Sequence, residues 1–235
     1  MIKKYLPRFI KNIIKRTYAF LTWDPWVNRS WSQEGEDQVL RRIFEKQANG
    51  FYVDVGAHHP KRFSNTYLFY RKGWCGINID AMPGSMKAFN NMRPRDTNIE
   101  VGVAETEGTL DYHVFNEPAL NGFSTELSTQ RDAAYSAYHV QEVIKVKVLP
   151  LHQLFAQHVK DRSIDFMSVD VEGLDLQVLK SNDWDKYRPE YVLAEVLGSS
   201  IANLHQHPIA QLMVQNGYEI YAKQVNTVFF KNTRI

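Results

Sequence analysis

The chain predicts an α/β fold, a mostly parallel sheet with helices on both faces, and three observations predict it. Short β-branched or aromatic runs alternate with helix-periodic stretches from Ser32 onward. Two of those runs, FYVDV at 51–55 and IDFMSV at 164–169, lead into Gly56 and into Asp170-Val171-Glu172-Gly173. The carboxyl end of such a strand is where an open α/β sheet has its ligand crevice. A third run, CGINI at 75–79, ends in Asp80, twenty-four residues past Gly56.

Length and composition agree with one domain. A chain of 235 residues, 44% of them hydrophobic, can bury a full core and is not disordered. Its single cysteine, Cys75, excludes an internal disulfide and suits a reducing, cytoplasmic setting. The net charge of +2 is unevenly placed, because residues 1–21 carry Lys3, Lys4, Arg8, Lys11, Lys15 and Arg16 and no acid. The rest is therefore net acidic, which argues against a nucleic-acid partner.

In order along the chain, Leu6, Phe9, Ile10, Ile13 and Ile14 fall at helical spacing with the basic residues largely opposite. No apolar run here is long enough to span a bilayer or to serve as a signal core. The alternatives are packing on the domain or lying on an anionic membrane surface, which would place the protein peripherally at the inner face of the membrane. Trp23, Trp26 and Trp31 complete a lead-in over 1–31. Ser32 then reads as the N-cap of a helix whose apolar face is Val39, Leu40, Ile43 and Phe44. Gln33, Glu36 and Asp37 bring more polar groups than one cap requires.

After the first strand, Gly56 lets the backbone approach a ligand, and Asp80 is placed to accept hydrogen bonds from both hydroxyls of a ribose. Ser64 caps a helix that stops at Gly73, a short helix covers 85–92, and Asn98 to Val103 reads as the third strand. From Asn116 to Gln141 periodicity fails amid polar and aromatic residues, which suggests a lid over an acceptor. The run ending at Val169 then delivers Asp170 and Glu172, which point to one side if the strand continues through them. Paired carboxylates at a crevice raise one another's pKa and mark a site. A strand over 191–196 carries Glu195, a helix covers 209–215, and 217–222 with 225–231 read as a closing hairpin.

Taken in order, SQEGEDQVL, FYVDVGAHHP, INIDAMP, IDFMSVDVEGLDLQVLK, PEYVLAEV and NGYEIY resemble the FkbM family of S-adenosylmethionine-dependent methyltransferases over roughly 32–221. The resemblance implies the seven-stranded class I methyltransferase sheet with its last strand antiparallel, and a methyltransferase domain over 32–235 with 116–141 as the lid. It implies S-adenosylmethionine as cofactor, with Asp54, Gly56 and Ala57 at the methionine end of the donor and Asp80 at its ribose. Gln33 and Asp37 would lie near the donor, and Asp170 and Glu172 would face the reaction centre. The chemistry implied is O-methylation of a hydroxyl on a sugar, glycan or secondary metabolite, the acceptor being a small molecule, sugar or glycolipid.

Methyl transfer from a sulfonium asks the protein to align donor and nucleophile and to remove a proton. Asp170, Glu172 or His58 could accept it. No metal is expected, since Asp175 falls in a helix and no ligand spacing is diagnostic. An NAD-type oxidoreductase would share the crevice but needs a G-x-G-x-x-G turn, whereas Gly56 is followed by Ala57, His58 and His59. The other alternative is a membrane-associated nucleoside-binding module without catalysis.

Overall fold

A computed structural model of the chain describes residues 7, 9–10, 12–14, 17, 26–134 and 136–234. The sheet is built from β1 (Phe51–Val55), β2 (Cys75–Asp80), β3 (Thr97–Glu100), β7 (Phe166–Val169), β8 (Tyr191–Glu195), β9 (Tyr218–Lys223) and β10 (Thr227–Asn232). Their spatial order is β3-β2-β1-β7-β8-β10-β9. Every pairing is parallel except those of β10, which runs antiparallel to both β8 and β9. This is the class I methyltransferase sheet, with its final strand returning between two neighbours.

Strands β1 and β7 are buried on both faces, which is why they read as continuous apolar runs. Alternation divides their side chains. Val53, Val55, Met167 and Val169 pack on one side with Leu154 and Phe155 of α5 (Leu151–His158) and with Val178 and Leu179 of α6 (Asp175–Lys180). Tyr52 and Phe166 pack on the other with Leu40 of α1 (Glu36–Ile43), with Phe69 of α2 (Tyr67–Arg71), and with Phe44 and Trp74. The remaining helices are α3 (Met86–Met92), α4 (Thr125–Ala134) and α7 (Pro208–Gln215).

The sequence expectations are corrected in three places. The third strand divides after Glu100, and β4 (Gly102–Val103) leaves the main sheet to pair with β6 (Val140–Leu149). With β5 (Gly108–Phe115), these form a separate three-stranded sheet beside the crevice. Next, α1 begins at Glu36, not at Ser32. Gly35 is its N-cap with φ 90°, while the Ser32 hydroxyl accepts from the Asp37 N–H. Finally, 116–141 is not irregular throughout, since it holds a 3₁₀ turn at Pro118–Leu120 and then α4.

Beneath the crevice, on the Tyr52 face, Arg93 is completely buried. It pairs with Asp96 at 2.8 Å and donates to the Tyr52 hydroxyl at 2.9 Å and to Thr66 at 3.0 Å. Thr66 in turn donates to Asp54 at 2.6 Å. A buried charge is tolerated only when paired and fully bonded, so this network fixes how α2 and the segment after α3 meet β1.

The basic segment 1–21 lies mostly outside the described residues, as does Trp23. Phe9, Ile13 and Ile14 are helical and exposed, and Trp26 is exposed. Among the described residues, no helix is long and apolar enough to cross a membrane.

Candidate active site

A cavity of about 310 Å³ opens at the carboxyl ends of β1, β2 and β7, the topological switch point where such sheets bind ligands. Gln33, Gly56, His58, Asp80, Asp170 and Glu172 all line it. The residues 118–123, expected as part of a lid, supply much of the facing wall through Pro118, Ala119, Asn121, Gly122 and Phe123.

Gly56 is required for a different reason from the one its position suggested. Its φ is +79°, and a Cβ built there would lie 1.8 Å from the carbonyl oxygen of Asp170. The glycine thus lets the β1 and β7 loops touch. The Gly56 and Ala57 N–H groups both donate to the Ile79 carbonyl, at 2.9 and 3.0 Å, and are not turned toward the cavity. Ala57 packs on Met86 and Phe89.

Asp80 is almost fully buried. One carboxylate oxygen accepts from the His58 N–H at 2.8 Å and the other from the Met82 N–H at 2.9 Å. Burial raises its pKa, and these two N–H groups oppose the rise. The side chain is thereby fixed at the cavity wall, and each oxygen keeps a second lone pair for a hydroxyl donor.

Two further candidates do not reach the cavity. Asp54 sits on the Tyr52 face, where one of its carboxylate oxygens accepts from Thr66. Asp37 is wholly buried and binds the lead-in, accepting from the Trp31 N–H at 2.8 Å and from Ser30 at 2.7 Å. In this structure both acids bond to the framework.

The strand carrying the second acid group stops at Val169, so strand alternation does not bring Asp170 and Glu172 together. Glu172 has φ 53°, and this left-handed turn swings it back toward Asp170. Glu195, at the end of β8, completes a cluster in which one oxygen of each of the three lies within 4.8 Å of the others. The third member was overlooked in the sequence, although a carboxylate closing an apolar strand is the signal that marked Asp80.

Three carboxylates this close need a proton or a positive charge among them. Arg131 of α4 supplies the latter, pairing with Glu172 at 2.5 Å. Asp170 opens to the cavity, yet the enclosing walls remove much of its hydration. That loss, together with the charges of Glu195 and Glu172, holds its pKa well above the usual carboxylate range. Burial and the charges of Glu172 and Asp175 push Glu195 up to about 8. Burial also brings Asp175 up to about 7, against its backbone N–H bonds. His58 moves the other way, down to about 4 through burial and the nearby Arg62, so the imidazole is neutral at pH 7, with its Nε2 buried and unpartnered.

These shifts make stability depend on pH. Glu195 holds its proton more tightly folded than unfolded, so it costs stability as pH rises from its ordinary 4.5 toward 8. His58 acts in the opposite sense only below its ordinary 6.5. Between pH 6.5 and 8 the melting temperature is expected to fall, and Glu195→Gln to flatten that slope. Equal slopes in the two proteins would count against the shared charge.

The Methyltransferase FkbM domain family matches residues 54–220, and the chain belongs to that family. S-adenosylmethionine is the methyl donor, and the cavity suits it. Its volume is in the range of small-cofactor sites, and Asp80 lines it with an anchored carboxylate. Among solved structures, the fold is similar to a TehB-like S-adenosylmethionine-dependent methyltransferase from Corynebacterium glutamicum, at 10% identity, TM-score 0.43, covering 97% of this chain and 100% of the other. It is similar also to a putative RNA methyltransferase from Pyrococcus horikoshii, at 8% identity, TM-score 0.46, covering 94% and 98%. A third is an O-methyltransferase from Bacillus cereus, at 11% identity, TM-score 0.41, covering 97% and 92%. No curated protein matches the chain.

Proposed function

We propose that the protein O-methylates a hydroxyl of a sugar, glycan or secondary metabolite. The observation that carries this reading is that Asp80 and the pair Asp170 and Glu172 line one cavity from opposite loops. A site with a ribose acceptor at one end and uncommitted carboxylate at the other has both parts that hydroxyl methylation needs.

When bound, S-adenosylmethionine supplies the electrophilic methyl group. Asp80 is the residue to hold its ribose, with Gly56 and His58 beside it. Asp170, whose side chain faces the cavity, is the residue to accept the hydroxyl proton. Its raised pKa makes it a stronger base than an ordinary aspartate. The carboxylates also favour positive charge in the cavity. His58, down at about 4, is a poor store for a proton.

Incubation with labelled donor and a panel of nucleotide sugars, glycolipids and hydroxylated metabolites tests the acceptor class. Label on an acceptor oxygen is expected, whereas label on nitrogen or sulfur alone would contradict it. Asp80→Ala is expected to weaken donor binding by about 1.5–3 kcal/mol, the range for a hydrogen bond to a charged group. Calorimetric titration showing equal affinity in the variant would remove Asp80 from the donor site.

A further inference from the structure

We infer that Arg131 is a positioning residue that holds α4 over the cleft and favours the ionised form of Glu172 at the transfer site. This rests on the reading above that Glu172 belongs to that site, and the lid is the part that reading leaves without a mechanism.

The segment 122–134 docks on the acid-bearing turn at several points. Gly122 comes so close that an added Cβ would stand 3.0 Å from the Cβ of Glu172, and one on Gly173 would meet Leu127 at 3.2 Å and Ser124 at 3.4 Å. Phe123 packs on Tyr112 with ring centroids 4.8 Å apart. These contacts secure the beginning of the segment. Beyond Ser128 the helix is different, because Thr129, Gln130, Asp132, Ala133 and Ala134 are all exposed. Asp132 accepts from the Val140 N–H at 2.8 Å, which ties the helix end to β6 and not to the cleft. The Arg131 to Glu172 ion pair thus joins the second half of α4 to the site, and its side chains are only 16% and 17% exposed.

Burial raises the Glu172 pKa, and the same ion pair opposes that rise. The groups around it are Asp170 on the same turn, Asp175 of α6, Glu195 of β8 and Tyr112 of β5, none of them cationic, with Arg131 opposed to them. The helix therefore carries the guanidinium that stabilises the ionised form of a carboxylate beneath it. Closing the helix and ionising Glu172 become one linked equilibrium.

The test compares the full chain with Arg131→Gln and Arg131→Lys by amide hydrogen exchange and by NMR titration of the Glu172 carboxyl carbon. In Arg131→Gln, exchange over 125–134 is expected to rise roughly tenfold at pH 7 while β1 and β2 stay protected. The Glu172 midpoint should move to higher pH, and Arg131→Lys should restore part of both. A merely structural arginine would leave that midpoint in place. Unchanged exchange over 125–134, or an unmoved midpoint, overturns the inference. If Arg131→Gln does not fold, acidification of the unaltered protein reads the same link. Protection over 125–134, taken relative to the intrinsic exchange rate at each pH, should fall as pH falls through the Glu172 midpoint, and a flat response refutes it. Titration with S-adenosylhomocysteine separates the two proposals, since failure of the unaltered protein to bind it sinks the functional reading and leaves the exchange result standing.

Discussion

Replacing Asp170 with Asn is expected to lower methyl transfer by about 10²–10⁴, the usual contribution of a general base, while the melting temperature stays unchanged or rises. The two effects part because Asp170 costs the fold stability. It sits against Glu172 and Glu195 with one guanidinium for the three, and an amide relieves that repulsion. Glu172→Gln is expected to reduce transfer too, but without the same gain in stability, because it also gives up the charge that Arg131 pairs with. Labelled-methyl transfer and donor affinity are to be measured for each variant. Near-normal transfer in both would exclude them from the chemistry, and weakened affinity with normal turnover at saturation would reassign them to donor binding.

Gly56→Ala is expected to be the most damaging single methyl in the molecule. A Cβ at 1.8 Å from the Asp170 carbonyl overlaps backbone, not a side chain that can swing aside, and the φ of +79° disfavours any L side chain. Relieving the overlap means separating the two loops that form the cavity floor. The loss is expected to be about 4 kcal/mol, in the range reserved for such specific clashes. For a chain of this length that is roughly 10 °C in Tm. A fall of less than about 3 °C would show that the loops can part freely, contrary to their close contact.

The sheet was legible because its strands are short, apolar and separated by turn residues, and because β1, β2 and β7 each end in the glycine or acid that the crevice exposes. The split of the third strand was not, since Gly102 and Val103 continue the apolar pattern and only pairing with β6 turns them away. Asp54 shows how strand parity decides a role. It lies between Val53 and Val55, whose side chains enter the α5 and α6 face, so Asp54 must enter the other and meets Thr66 there. The bonds of Asp37 were not legible for want of tertiary information, because its partners Ser30 and Trp31 are a folded-back lead-in. Arg131 had no local signal at all. Its helix, TELSTQRDAA, is polar on nearly every side, and only the left-handed turn at Glu172 brings a partner to it.

The central claim is that one cavity holds the donor's ribose at Asp80 and presents its methyl to Asp170 and Glu172. A crystal structure of the protein with S-adenosylhomocysteine measures this directly. The expected result is both ribose hydroxyls within hydrogen-bond distance of the Asp80 carboxylate and the sulfur directed toward Asp170. A nucleoside bound elsewhere, or bound here with its sulfur turned away from the carboxylates, would contradict it.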